Sequence, residues 1–137
     1  MKRICGFLLP VLTSAMVFGC GGGGDTLAKA KVKGVVTFDS QPISEGRITF
    51  HSTDGKGRSY SGAITDGKYE FNAEPGPKKV EITASRAVPG KFDTTSNPGV
   101  KDPIVEMYIP KMYNEATKLT AEVAAGANDI PFDLKSK

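Results

Sequence analysis

From Lys31 onward the chain alternates apolar and polar side chains, and a glycine, proline or aspartate signal interrupts the alternation about every ten residues. A period of two places successive side chains on opposite faces of a strand, so this pattern leaves little room for helices. Val32, Val36 and Phe38 share one face with Gly34, while Lys33, Val35 and Thr37 share the other. Ile48 and Phe50 alternate with Arg47, Thr49 and His51, and Val80, Ile82 and Ala84 with Lys79, Glu81 and Thr83. Asp66-Gly67 sits between two alternating runs. Such a pair favours a two-residue type I′ hairpin, because both positions need positive φ.

These signals predict seven or eight strands and an all-β fold, an antiparallel β-sandwich with one wet surface on each sheet. The inward set is expected to be Val36, Phe38, Ile48, Phe50, Ile64, Tyr69, Phe71, Val80, Ile82, Leu119, Val123, Ile130, Phe132 and Leu134. Residues 86–103 break the rhythm with Pro89, Gly90, Asn97, Pro98, Gly99 and Pro103, and read as the longest irregular connection. Long connections in compact domains are often functional. Pro110 through Ala116 reads as a turn region or a single helical turn.

The first residues follow a different logic. Lys2 and Arg3 precede an apolar run over 4–18, which ends at Val17-Phe18-Gly19-Cys20 and four glycines. Charge, then apolar run, then small residue is the order of a secretory signal. The run is short of the roughly 20 apolar residues that cross a bilayer. Val17, Gly19 and Cys20 resemble the lipobox of bacterial lipoproteins, with Phe18 bulkier than usual. That resemblance implies a signal peptide over 1–19 and a lipidated Cys20 carrying diacylglycerol and an amide-linked fatty acid such as palmitate. A flexible tether over 20–30 and a domain over 31–137 would follow. Gly21, standing where an aspartate would favour inner-membrane retention, points to an outer-membrane or periplasm-facing address in the cell envelope. Cys5 would leave with the leader, so no disulfide is expected and the core alone must hold the fold.

Charge excludes one partner class. The chain has 18 basic and 15 acidic residues. Without Lys2 and Arg3, 16 basic side chains face 15 acidic ones, a balance of +1. No basic stripe marks a nucleic-acid surface.

Candidate chemistry is sparse. His51 is the single histidine, with Asp54, Ser52 and Ser59 close in sequence, so a hydrolase is a third and weak reading. One histidine and a lipid-capped cysteine leave no nitrogen–sulfur zinc site. Asp39, Asp54, Asp66 and Asp93 lie at turns, without the run of carboxylates that a calcium loop presents, and read as turn formers. No cofactor is expected. Tyr108 and Tyr113 flank the 86–103 segment and are the candidates for an exposed ligand-binding patch. An open strand edge offers another contact mode.

Several stretches resemble a known family. Lys33-Gly34-Val35-Val36-Thr37-Phe38-Asp39, Gln41-Pro42-Ile43 and Gly46-Arg47-Ile48-Thr49-Phe50 resemble the G-x-V-T-x-x-G-x-P-L-x-G-A-x-V opening of carboxypeptidase regulatory-like domains. Thr65-Asp66-Gly67-Lys68-Tyr69-Glu70-Phe71 is similar to their T-D-x-D-G-x-Y-x-F hairpin, and Pro75-Gly76-Pro77-Lys78-Lys79-Val80 to their P-G-x-Y-x-V strand. Ile109-Pro110-Lys111-Met112-Tyr113-Asn114 looks like a sub-family of small bacterial lipoproteins built on this domain. Ser40 departs from the pattern, standing where a glycine is usual, and the hairpin has a single aspartate before its glycine. The resemblance implies a transthyretin-like, prealbumin-type sandwich without catalytic residues. The expected function is therefore a non-enzymatic, membrane-anchored module that binds or scaffolds an unknown protein or glycan partner. A glycan- or peptide-binding role for the 86–103 loop is the alternative.

Overall fold

The computed structural model describes residues 28–137, and these are all-β. Eleven strands follow one another: β1 (Ala30–Phe38), β2 (Gln41–Pro42), β3 (Glu45–Ser52), β4 (Tyr60–Thr65), β5 (Lys68–Ala73), β6 (Gly76–Thr83), β7 (Ser85–Asp93), β8 (Asp102–Met107), β9 (Thr120–Val123), β10 (Ala127–Asp129) and β11 (Phe132–Leu134). A 3-10 turn at Lys111–Tyr113 precedes β9. The excess over the seven or eight expected strands comes largely from β2, β10 and β11, which are too short to leave a periodic signature.

Nine strands form one mostly antiparallel sheet in the order β10-β1-β5-β4-β3-β6-β9, with β2 and β11 also paired to β1. The sheet curls. β4 and β5 pair only at Ile64↔Tyr69 and Thr65↔Lys68, next to the turn, and then separate. β1 with β5, and β3 with β4 and β6, thereby become two leaves that fold over a shared core. Phe50 of β3 meets Phe71 edge-on at 5.2 Å and Phe132 at 6.3 Å across that space. A sheet with one apolar face must bury it against something, and here it buries it against itself.

The turns explain the curl. Asp66 and Gly67 have φ of 50° and 75°, as a type I′ hairpin requires. Their amides donate to the carbonyls of Ser44 (2.9 Å) and Ile43 (2.7 Å), and the Val36 amide donates to Gly67 (2.7 Å). The turn is thus stitched between β1 and the segment after β2, where Ile43 joins the core. A second turn of the same sign joins β1 to β2: Asp39 and Ser40 have φ of 48° and 68°. Ser40 holds the left-handed conformation that glycine adopts at less cost.

Burial along β1 alternates strictly from Ala30 to Val36. Ten of the fourteen expected inward side chains are buried, and Phe38, Phe71, Leu119 and Ile130 pack against them half-buried. The purely antiparallel expectation needs correction at β1, which takes β10 and β11 as parallel partners. The link between them crosses β1 at Gly34, where an added Cβ would run into the Ile130 carbonyl. The Tyr69 hydroxyl donates to that same carbonyl at 2.7 Å. Gly34 is required by this close backbone approach.

The expectation of one irregular loop over 86–103 is overturned. β7 and β8 form a separate two-stranded antiparallel sheet, an arm whose connection spans only 94–101. The register shifts between Ala87 and Phe92, with Gly90 at φ 73°. Pro89 and Gly90 therefore mark a bulge inside a strand rather than the end of one.

Candidate functional site

The candidate lipid site, Cys20, lies outside the described residues, as do the leader and most of the tether. The remaining candidates divide among a polar cluster, a set of turn aspartates and the root of the arm.

His51 stands near the end of β3 on the polar face. Its Nδ1 meets Ser59 Oγ at 2.9 Å and its Nε2 meets Glu81 Oε2 at 3.2 Å. Of the sequence neighbours considered, Ser59 is in contact. Ser52 Oγ instead donates to Asp54 at 2.7 Å, and the carboxylate beside the histidine is Glu81. Glu81 was not legible as a partner, because β3 and β6 meet only after thirty intervening residues fold back. Both ring nitrogens are engaged, the group is half-exposed, and none of the three grooves described here is lined by His51. Such a surface pair contributes about 0–1 kcal/mol.

The turn aspartates have donors from their own surroundings. Asp54 accepts from Ser52 and from the amides of Lys56 (3.0 Å) and Gly57 (3.1 Å), which holds its carboxyl below its ordinary range. Asp93 accepts from the hydroxyls of Ser96 and Thr95 and from both their amides, which lowers its carboxyl well below that range. Asp39 accepts from the Ser136 amide at 2.9 Å. Among the described residues no three histidine, cysteine or carboxylate side chains converge as metal ligands.

Tyr108 and Tyr113 are half-buried. Tyr108 meets Phe38 edge-on at 5.6 Å, and the Arg86 guanidinium lies 5.2 Å over its ring. Burial raises the Tyr108 hydroxyl and the nearby Arg86 charge opposes that rise. Tyr113 accepts from the Lys135 amide at 3.1 Å. Between them Asn114 is buried. It donates to the carbonyls of Ile109 (3.3 Å) and Pro110 (3.2 Å) and accepts from the Glu115 amide (2.8 Å), which fixes the Ile109-to-Asn114 stretch as a buckle under the arm.

Tyr108 also lines the largest groove described, about 590 Å³, together with Phe38, Gln41, Pro42, Glu45 and Arg86. One wall is the β1–β2 turn and the other is the base of β7. A second groove of about 310 Å³ opens on the opposite side of the arm root, between Arg47, Ala84 and Val105. Arg86 is held by Glu106 on the facing strand at 2.9 Å. The arrangement offers apolar surface, one fixed cation and several hydrogen-bonding groups.

No protein-family model matches the chain, and no curated protein matches it. Among solved structures it is similar to a DUF3823 family protein from Parabacteroides merdae, at 14% identity and a TM-score of 0.40, over 77% of this chain and 45% of that one. It is also similar to a leucine-rich repeat protein from Bacteroides thetaiotaomicron, at 10% identity and a TM-score of 0.39, over 79% of this chain and 12% of that one. The chain thus spans less than half the length of either structure.

Proposed function

We propose that this protein is a lipid-anchored module of the bacterial cell envelope that binds or scaffolds a partner and performs no reaction of its own. Its body is a transthyretin-like sandwich of the carboxypeptidase regulatory-like kind, held to the membrane through acylated Cys20. The observation that carries the reading is the contrast between a closed core and an arm rich in exposed apolar side chains: Phe92, Val100, Ile104, Val105 and Met107 all lie there. A soluble monomer gains nothing from a projecting apolar ribbon, whereas a docking module needs one. The parting of β4 from β5 supports the sandwich, since it divides the sheet into two facing leaves.

Two measurements test this. Mass spectrometry of the mature N-terminus is expected to find an acylated Cys20, and an intact Met1 would remove the anchor. Cross-linking of the full chain in its native envelope is expected to trap a partner through the arm, and a loss of cross-links on Val105→Asp would locate the contact.

The groove beside Tyr108 favours a second reading, the binding of a glycan or peptide between Phe38, Pro42 and Arg86. A glycan or peptide array probed with the full chain and with Tyr108→Ala separates the two. A hydrolase built on His51 is the third reading, and an activity that survives His51→Ala would dismiss it.

A further inference from the structure

We infer that the partner met by the arm is a second copy of this chain, and that the contact is weak enough to need a membrane surface to populate it. The inference rests on the anchored-module reading above and deepens it.

Pairing fixes which side chains share a face of the arm. Ala87 opposes Val105, Ser85 opposes Met107 and, after the bulge, Phe92 opposes Pro103. All six therefore point to one side, and Arg86 and Glu106 to the other. In a regular ladder the five-residue step from Ala87 to Phe92 would turn Phe92 to the polar side. The bulge re-aims it onto the apolar one. Phe92, Val105 and Met107 are 50%, 63% and 57% exposed, so this face is apolar and open.

Charge selects the occupant. Between Ser85 and Met107 the cations are Arg86, Lys91 and Lys101, and the anions are Asp93, Asp102 and Glu106. Three against three is a neutral rim around an apolar strip. A surface that must meet itself across a two-fold axis cannot carry a strong single sign. An anionic bilayer or a polyanion would call for an excess of cations.

Position adds a second argument. Val35, Lys68, Thr65 and Glu45 line up through successive pairings, and Thr83 follows through Arg47, so the arm leaves from that end. Ala30, which leads back to the tether, pairs with Ala73 at the opposite end. Arms of neighbouring anchored chains would then stand at one height, away from the bilayer. Size sets the strength. Nine residues of β7 span about 30 Å and two strands about 10 Å, so the face offers about 300 Å². A standard interface uses about 800 Å² per partner. The dimer is therefore weak in solution and gains from confinement to a surface.

The test is sedimentation equilibrium of the full chain in detergent across a wide range of chain-to-micelle ratios. A reversible monomer–dimer equilibrium is expected. Val105→Asp and Phe92→Asp should each weaken it by about tenfold or more, since each sets a charge on the contact face. Their thermal unfolding should match that of the unaltered chain. A monomer at every ratio overturns the inference, as does a dimer that survives both substitutions. Binding of the Cys20→Ser chain to phosphatidylglycerol vesicles, lost on Val105→Asp, also overturns it by making the bilayer the occupant. An unacylated N-terminus with arm-dependent dimers sinks the anchor alone, and acylated Cys20 with a strict monomer sinks this inference alone.

Discussion

The body and the arm are built from the same alternating strands and treat their apolar faces in opposite ways. In the body, Val36, Ile48, Phe50 and Ile82 are fully enclosed, because the sheet curls and supplies its own second layer. In the arm, β7 and β8 have no third strand, and five of the seven exposed large apolar side chains among the described residues fall there. A two-stranded ribbon is at best marginally stable by itself. Here it is held at its root by the Tyr108 amide donating to the Ala84 carbonyl at 3.3 Å, by the Phe38–Tyr108 contact, and at its tip by Asp93. The contrast teaches that alternation sets strand geometry, while the number of neighbours decides whether the apolar face is core or contact surface.

Substitutions sharpen that contrast, and the largest effect belongs to the body. Phe50→Ala removes the ring around which Tyr69, Phe71 and Phe132 are grouped, and is expected to cost about 3–5 kcal/mol by urea unfolding. Gly34→Ala should follow at about 1–3 kcal/mol, since the backbone at Ile130 must move to admit the methyl group. Ser40→Gly should act in the other direction and raise stability by about 1 kcal/mol, by relieving a left-handed serine in the β1–β2 turn. Val105→Ser in the arm should leave stability within about 0.5 kcal/mol, because the side chain is already in water. A large loss there would mean that the arm is part of the core after all.

Acid should separate the regions least. The Asp93 carboxyl is lowered by Ser96 first and then Thr95, so the folded tip binds its proton later than the unfolded chain does. Its contribution is present above the ordinary carboxylate range of about 3.9, persists as the pH falls through that value, and is lost only below it. Carboxyl carbon shifts followed by NMR should titrate below that range for Asp93 and Asp54, and a midpoint near 3.9 would deny the bracing described for both loops.

Much of the body was legible because its cues are local. Strict alternation marked β1, β3 and β6, and Asp66-Gly67 marked its turn. What stayed hidden depends on pairing across long separations. The parallel partners of β1 lie some 95 residues away and are three residues long. Ile43 and Ile109 enter the core from segments with no periodicity of their own. The arm was hidden by Pro89 and Gly90, which signal a loop and here form a bulge. At the candidate sites, sequence proximity placed Ser59 with His51 but could not supply Glu81, and it placed Tyr108 beside the arm without revealing Phe38 as its neighbour.

The pairing of the first described strand with the last two has a consequence for biogenesis. One flank of β1 stays bare until 127–134 have been synthesised, so a chain still emerging from the ribosome lacks the pieces that close its sheet. A polypeptide that completes its fold only when whole remains slack enough to be threaded through a narrow translocation channel. Late closure of this kind would suit a protein destined to leave the compartment in which it is made.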